Sequence, residues 1–257
     1  MKIYLLLILV PIIVMLDTAN GGGLDRVIAH RGASYDAPEN TSAAIQLAIS
    51  RGAKIIEFDV RETADKELYL FHDSDLKRLC GKEIHFNQVS SDDVAKLDVG
   101  SWFTGGKYPD EKPLLLRTAI EQCLAGGVIP LIERKSGPPE AYARVISDLD
   151  AVSEVIVQSF NWEFIAGVQK LLPALRVGAL GSKKLSEKKE ALLKLNANLV
   201  GWSNNDIEAG DFMWLKENKF KIAIWTVNDP KRAQFLIEQG VHYIITDRPK
   251  YIADRLE

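Results

Sequence analysis

The chain has 257 residues, 47% hydrophobic and 26% charged, with a formal net charge of -3. That length suits a single α/β barrel of about 250 residues, and the mild negative charge gives no electrostatic reason to expect nucleic acid as a partner.

The first element is an apolar run, Ile3 to Leu16, preceded by Lys2, broken by Pro11 and followed by the small polar stretch 17–23. This is the layout of a secretory signal over 1–21, with Ala19-x-Gly21 as the small-x-small cleavage pattern, and it predicts export to a periplasm or secretion. Its 14 residues would span roughly 21 Å as a helix, short of the ~30 Å hydrocarbon core. Left uncleaved, the segment is an anchor, and membrane contact is expected only through it. Export would let Cys80 and Cys123 oxidise; a disulfide and two separate thiols both fit, and neither cysteine has C-x-x-C or zinc-ligand spacing. No residue pattern sets the oligomeric state.

From Arg26 onward, short apolar runs alternate with segments of helical period. Eight runs read as parallel strands: Arg26–His30, Lys54–Val60, Val128–Arg134, Glu154–Phe160, Leu175–Leu180, Asn198–Trp202, Lys221–Val227 and His242–Thr246. Between them fall the predicted helices Ser42–Arg51, Ala119–Ala125, Glu140–Leu149, Trp162–Leu172, Lys189–Leu195, Asp211–Lys216 and Pro230–Gln239, with starts at Thr41, Pro139, Asn161 and Asp229. Eight β/α units predict a (β/α)8 TIM barrel over 22–257.

A ninth run, Glu67–His72, follows the second strand too closely for a parallel crossover, which needs about a dozen residues. It is expected to fold back as a hairpin around Asp65-Lys66, a two-residue loop that pairs Ala64 with Glu67 and puts Asp59 opposite His72. The stretch 74–112 then replaces a helix with an insertion expected over the barrel mouth.

Barrel chemistry comes from polar residues at the C-terminal ends of strands. Those are His30-Arg31, Glu57 and Asp59, His72-Asp73, Glu133 with Lys135, and Gln158. Glu57 and Asp59 lie two apart, so both share a strand face with Ile55 while Ile56, Phe58 and Val60 take the other. With Glu133 they form an oxygen-only set that fits one hard divalent cation, Ca²⁺ or Mg²⁺, better than zinc; structural ion pairing with Arg31, Arg134 or Lys135 is the alternative. His30 and His72 suit two-way proton transfer near neutral pH, whereas His85 and His242 are weaker candidates. Arg31 and Lys135 could clamp an anion, and phosphate is the natural one beside a hard cation and two imidazoles.

Eight blocks in order, His30-Arg31-Gly32, Pro38-Glu39-Asn40-Thr41, Glu57-Phe58-Asp59-Val60, Phe71-His72-Asp73, Ile132-Glu133-Arg134-Lys135, Gln158-Ser159-Phe160, Trp225-Thr226-Val227-Asn228 and Thr246-Asp247-Arg248-Pro249, resemble the glycerophosphodiester phosphodiesterase family from about residue 26 to 252. The resemblance implies metal-dependent hydrolysis of small glycerophosphodiesters, such as glycerophosphocholine, to glycerol 3-phosphate and an alcohol. It implies His30 and His72 as general acid and base, Glu57, Asp59 and Glu133 as metal ligands, and Arg31 and Lys135 on the phosphate. Trp225 becomes an apolar wall for the glycerol carbons. Glu39, Asn40 and Gln158 become supporting neighbours, although Asn40 also suits a helix cap.

Two departures from the family pattern are local. Lys112-Pro113-Leu114-Leu115-Leu116 precedes the helix before the third carboxylate, and Arg134 takes a usually apolar place whose strand face points toward the helices. Two alternatives are a lysophospholipase D-like phosphodiesterase and a non-catalytic phosphodiester-binding barrel. The insertion's Trp102, Phe103 and Tyr108 are interleaved with charges, which favours soluble substrates, and no expected histidine or carboxylate is missing.

Overall fold

A computed structural model describes residues 22–109 and 111–256. The signal-segment reading lies outside the described residues. The elements run β1 (Val27–His30), α1 (Ser42–Ser50), β2 (Ile55–Glu62), β3 (Leu68–Leu70), α2 (Lys77–Cys80), α3 (Ser91–Val94), α4 (Leu116–Ala125) and β4 (Ile129–Arg134). They continue with α5 (Pro139–Asp148), β5 (Ile156–Ser159), α6 (Trp162–Leu171), β6 (Arg176–Gly181), α7 (Lys189–Lys194), β7 (Leu199–Ser203), α8 (Ala209–Glu217), β8 (Lys221–Trp225), α9 (Pro230–Glu238), β9 (Tyr243–Thr246) and α10 (Pro249–Ala253).

The sheet order is β1-β9-β8-β7-β6-β5-β4-β2-β3, and parallel pairing of β1 with β2 closes eight strands into the expected barrel, leaving β3 as an antiparallel appendage. Strand alternation divides the side chains into two populations. Outward residues such as Ile56, Phe58, Val60, Ile132 and Val157 pack under the helices. Inward residues Ile28, Ile55, Leu131, Ile156, Leu199 and Ala223 fill the lower barrel. One step further along the same inward rows come His30, Glu57, Glu133, Gln158 and Trp225, with Asp59 one step beyond Glu57, so the apolar plug gives way to polar groups at the C-terminal mouth.

Helix starts follow side-chain caps: Thr41, Asn161 and Asp229 each accept a backbone N–H of the first turn, at α1, α6 and α9 respectively. Helix α8 begins earlier than its apolar period suggests because Glu208 and Asp211 form a reciprocal capping box. Helix α4 likewise starts at Leu116 rather than Ala119. Among the described residues no helix is long and apolar enough to cross a membrane.

The hairpin register differs from the expectation by one residue. Val60 pairs with Leu70 and Glu62 with Leu68, and Phe71 N–H donates to the Asp59 carbonyl, so Phe71 and not His72 lies opposite Asp59. The cause is a three-residue loop. Thr63 N–H bonds the Glu67 carbonyl, Thr63 Oγ1 bonds Asp65 and accepts from Glu67 N–H, and Lys66 takes a left-handed φ of 73°. His72 instead follows the end of β3, where its carbonyl accepts from Arg61 Nε.

The insertion carries its own apolar cluster, in which Leu76, Leu79, Phe86, Val94, Leu97 and Val99 pack against Tyr69 and Phe71 of the hairpin. Cys80 packs against this cluster while Cys123, on α4, is buried in the main core; both are free thiols, so the disulfide alternative does not hold.

Candidate active site

The chain leaves β1 through a tight turn. Arg31 and Gly32 both have positive φ (56° and 83°), and a Cβ on Gly32 would lie 2.6 Å from the Ala44 carbonyl carbon, so only glycine fits beneath α1. This turn aims Arg31 back across the barrel mouth. Its backbone N–H donates to Glu57 Oε2 at 3.0 Å, Nη1 donates to Glu39 Oε1 at 2.9 Å, and Nε lies 3.0 Å from Asp59 Oδ2. Asn40, itself at φ 57°, holds Asp59 from the other side, with Nδ2 donating to Oδ2 and Oδ1 accepting from the Asp59 backbone N–H, both at 3.0 Å. The cap of α1 is Thr41, so Asn40 orients Asp59 instead of capping the helix.

Ligand oxygens of Glu57, Asp59 and Glu133 lie within 4.8 Å of one another, all buried. Lys135 Nζ reaches between two of them, 3.1 Å from Asp59 Oδ1 and in close contact with Glu133 Oε1. Ion pairing therefore accounts for part of the cluster, but not all of it. Glu57 Oε1 is buried with no hydrogen-bond partner, and Arg134 takes no share, because its guanidinium sits over the Phe164 ring of α6. A buried carboxylate oxygen without a partner among three carboxylates fits a hard cation bound by oxygen ligands.

The acidities follow from the same crowding. Burial pushes Glu57 well above the ordinary carboxylate range, and the neighbouring Asp59 and Glu133 charges add to it. Burial, then the Asp59 charge, raises Glu133 to about 7 against the pull of Lys135. At Asp59 burial acts upward too, but Arg31 and Lys135 outweigh it and hold the group strongly acidic. Three carboxylates thus share a site in which only one ionises readily without a further cation.

The two expected histidines flank this cluster, and each is held by a carboxylate. His30 Nδ1 lies 2.6 Å from Asp247 Oδ1, and Asp247 is fixed by Asn228 Nδ2 (2.6 Å) and Ser34 Oγ (3.2 Å). His72 Nδ1 lies 2.7 Å from Asp73 Oδ1. Burial lowers the His72 pKa, partly offset by Asp59. The remaining histidines lie away from this cluster: His85 is in the insertion, and His242, at the opposite end of the barrel, accepts from Ile222 N–H.

A cavity of about 100 Å³ joins these groups, lined by His30, Arg31, Glu57, His72, Glu133, Lys135, Gln158 and, on its apolar side, Phe160, Leu180 and Trp225. The Phe160 and Trp225 rings meet edge to face at 5.6 Å. Gln158 Oε1 and Trp225 Nε1 are buried without partners beside the cavity. All eleven residues expected at the site from the sequence are thus at the barrel mouth, eight of them lining this cavity and Asp59, Glu39 and Asn40 behind it.

Residues 30–251 match the glycerophosphoryl diester phosphodiesterase family. The chain belongs to that family. A glycerophosphodiester phosphodiesterase of Caldanaerobacter subterraneus subsp. tengcongensis is 32% identical over 230 residues, 87% of this chain and 94% of its own length. A phosphodiesterase of Oleispira antarctica, solved in complex with its product sn-glycerol-3-phosphate, superposes with a TM-score of 0.84 at 28% identity, covering 90% of this chain and 96% of the other. A crystal structure of a glycerophosphodiester phosphodiesterase from Agrobacterium tumefaciens gives a TM-score of 0.74 at 27% identity, over 89% of this chain and 99% of that one.

Asp247, Asn228 and Phe160 are site residues beyond those expected from the sequence. Asp247 directly follows β9, Asn228 lies in the turn after β8 and Phe160 directly follows β5, all within the family blocks, so strand-end position is the available signal.

Proposed function

We propose that this chain hydrolyses small glycerophosphodiesters such as glycerophosphocholine to sn-glycerol 3-phosphate and an alcohol. The observation that carries the reading is the convergence, on one cavity, of three buried carboxylates with an unpartnered oxygen, two carboxylate-held imidazoles and the cations Arg31 and Lys135. Glu57, Asp59 and Glu133 would hold one divalent cation, Ca²⁺ or Mg²⁺, which when bound supplies charge neutralisation and Lewis acidity at the phosphoryl oxygens.

Arg31 and Lys135 hold the non-bridging oxygens and fix the phosphorus for in-line displacement. Asp73 engages Nδ1 of His72 and leaves Nε2 toward the cavity, and burial keeps that ring unprotonated near neutral pH. In this form it accepts the nucleophile's proton. His30, oriented by Asp247, donates a proton to the departing alcohol oxygen. Trp225 and Phe160 present an apolar wall to the glycerol carbons.

The reading is tested by assaying glycerol 3-phosphate release from glycerophosphocholine by the purified protein with added Ca²⁺ or Mg²⁺, with and without EDTA, and with lysophosphatidylcholine as a parallel substrate. Cation-dependent release from the soluble diester is expected. Release only from the lysolipid points to the lipid-directed alternative, and binding without turnover of either substrate overturns the hydrolase reading.

The chain is also proposed to be exported, supported by Lys2, the apolar run Ile3 to Leu16 and the small residues that follow. N-terminal sequencing of protein recovered outside the cytoplasm should begin at about residue 22; an intact Met1 on a purely cytoplasmic product would rule this out.

A further inference from the structure

The insertion contributes one charged side chain to the rim that the proposed mechanism does not use. Arg78, on α2, spends its whole guanidinium on two carboxylates. Nη1 and Nη2 donate to Glu39 Oε2 and Oε1 at 2.9 and 2.7 Å, while Nε and Nη2 donate to Asp73 Oδ2 and Oδ1 at 2.6 and 3.2 Å. Each carboxylate then holds one group of the proposed mechanism: Glu39 Oε1 accepts from Arg31 Nη1 at 2.9 Å, and Asp73 Oδ1 faces His72 Nδ1 at 2.7 Å. The chain of contacts runs unbroken from Arg31 through Glu39, Arg78 and Asp73 to His72.

Resting on the hydrolase reading above, we infer that Arg78 is a positioning residue that sets the relative orientation of Arg31 and His72, and that delivering it is the insertion's contribution to the reaction. The geometry favours this over a surface ion pair. Glu39 is buried, and among the described residues its charge is compensated by Arg31 and Arg78. A planar fork can grip two carboxylates at once, which a point-charge ammonium cannot do. The backbone under Arg78 is fixed by Leu76 and Leu79 in the insertion's apolar cluster, and the guanidinium carbon lies 5.7 Å from the centre of the Trp102 ring. A long, half-exposed side chain is thereby held in one arrangement. Displacements of about 1 Å in such a frame cost on the order of 100-fold in rate.

The test is steady-state kinetics on glycerophosphocholine with the cation-loaded protein. Arg78→Ala is expected to lower kcat about 10- to 100-fold with a much smaller change in KM, and added guanidinium ion to restore at least part of that loss. Arg78→Lys, which keeps the charge and guards against misfolding, should lose kcat similarly while keeping its Tm. Val94→Ala loosens the insertion's cluster without touching the fork and should keep kcat within about twofold. Asp73→Ala combined with Arg78→Ala should lose less than the product of the two single losses, since both variants break the same chain of contacts between Arg31 and His72. The inference falls if Arg78→Ala or Arg78→Lys turns over at the wild-type rate, if Val94→Ala loses as much as Arg78→Ala, or if the two losses multiply. A wild-type protein that releases no glycerol 3-phosphate sinks the hydrolase reading instead, so the two failures are distinct.

Discussion

Replacing either His30 or His72 by alanine is expected to lower kcat by roughly 10² to 10⁴, the usual worth of a positioned proton transfer, while KM changes little. The two variants should nevertheless separate when the leaving group changes. A nitrophenolate departs without being protonated, whereas an alkyl alcohol does not. With a nitrophenyl phosphodiester the His30→Ala defect should therefore shrink towards the wild-type rate, and the His72→Ala defect should persist, because proton removal from the nucleophile is still needed. The reverse pattern would exchange the two roles. Equal defects on both substrates would mean that neither imidazole protonates the leaving group, and a His30→Ala protein with full activity on glycerophosphocholine would remove it from the chemistry. Asp247→Asn supplies an internal control: it keeps the shape of the group beside His30 Nδ1 but removes the charge, so its loss should be smaller than that of His30→Ala and should also shrink with the nitrophenyl substrate.

The strand-end logic made most of this site legible in the sequence. Polar residues that close apolar runs, such as Glu57 and Asp59 on β2 or Glu133 on β4, can only face the barrel mouth once their apolar neighbours are committed to the helices, so their convergence follows from a period of two and barrel closure. Arg134 was legible for the same reason, and it stands over Phe164 on the outer face. What stayed hidden depended on contacts that no local pattern encodes. Asp247 meets His30 across 217 positions of sequence, and Arg78 meets Glu39 across 39. The hairpin register differs by one residue from the local pattern because Thr63 and Asp65 side chains close a three-residue loop in place of a two-residue one, which puts Phe71 opposite Asp59. Asn40 suited a cap chemically, but its left-handed φ turns the amide onto Asp59 and leaves capping to Thr41.

The second large effect concerns the carboxylate cluster and its dependence on pH. Glu133 is raised to about 7 from an ordinary value of 4.5, and Glu57 is also held well above the ordinary carboxylate range, burial being the main cause in both. A carboxyl whose folded pKa exceeds its unfolded one favours folding when protonated. Its stabilising contribution is complete below about 4.5 and is lost as pH rises through about 7. In EDTA the cluster should therefore become a growing liability between pH 5 and 8, as charges build that only Arg31 and Lys135 offset. Added Ca²⁺ or Mg²⁺ should reverse this, and the rise in Tm it produces should be small near pH 5, where protons must be displaced, and large near pH 8. Glu57→Gln supplies the matching substitution. By replacing a buried acid that has an unpartnered oxygen with a neutral isostere, it should leave the Tm in EDTA at pH 8 equal or higher, abolish most of the cation-induced rise, and lower kcat by at least about 100-fold. Thermal scans at both pH values, with EDTA and with each cation, check all of this at once. A cation-induced rise that is the same at pH 5 and pH 8, or that survives Glu57→Gln, would place cation binding elsewhere. In that case the three carboxylates would be neutralised by protons, Arg31 and Lys135 alone, and the reaction would have to run on those two cations and the imidazoles.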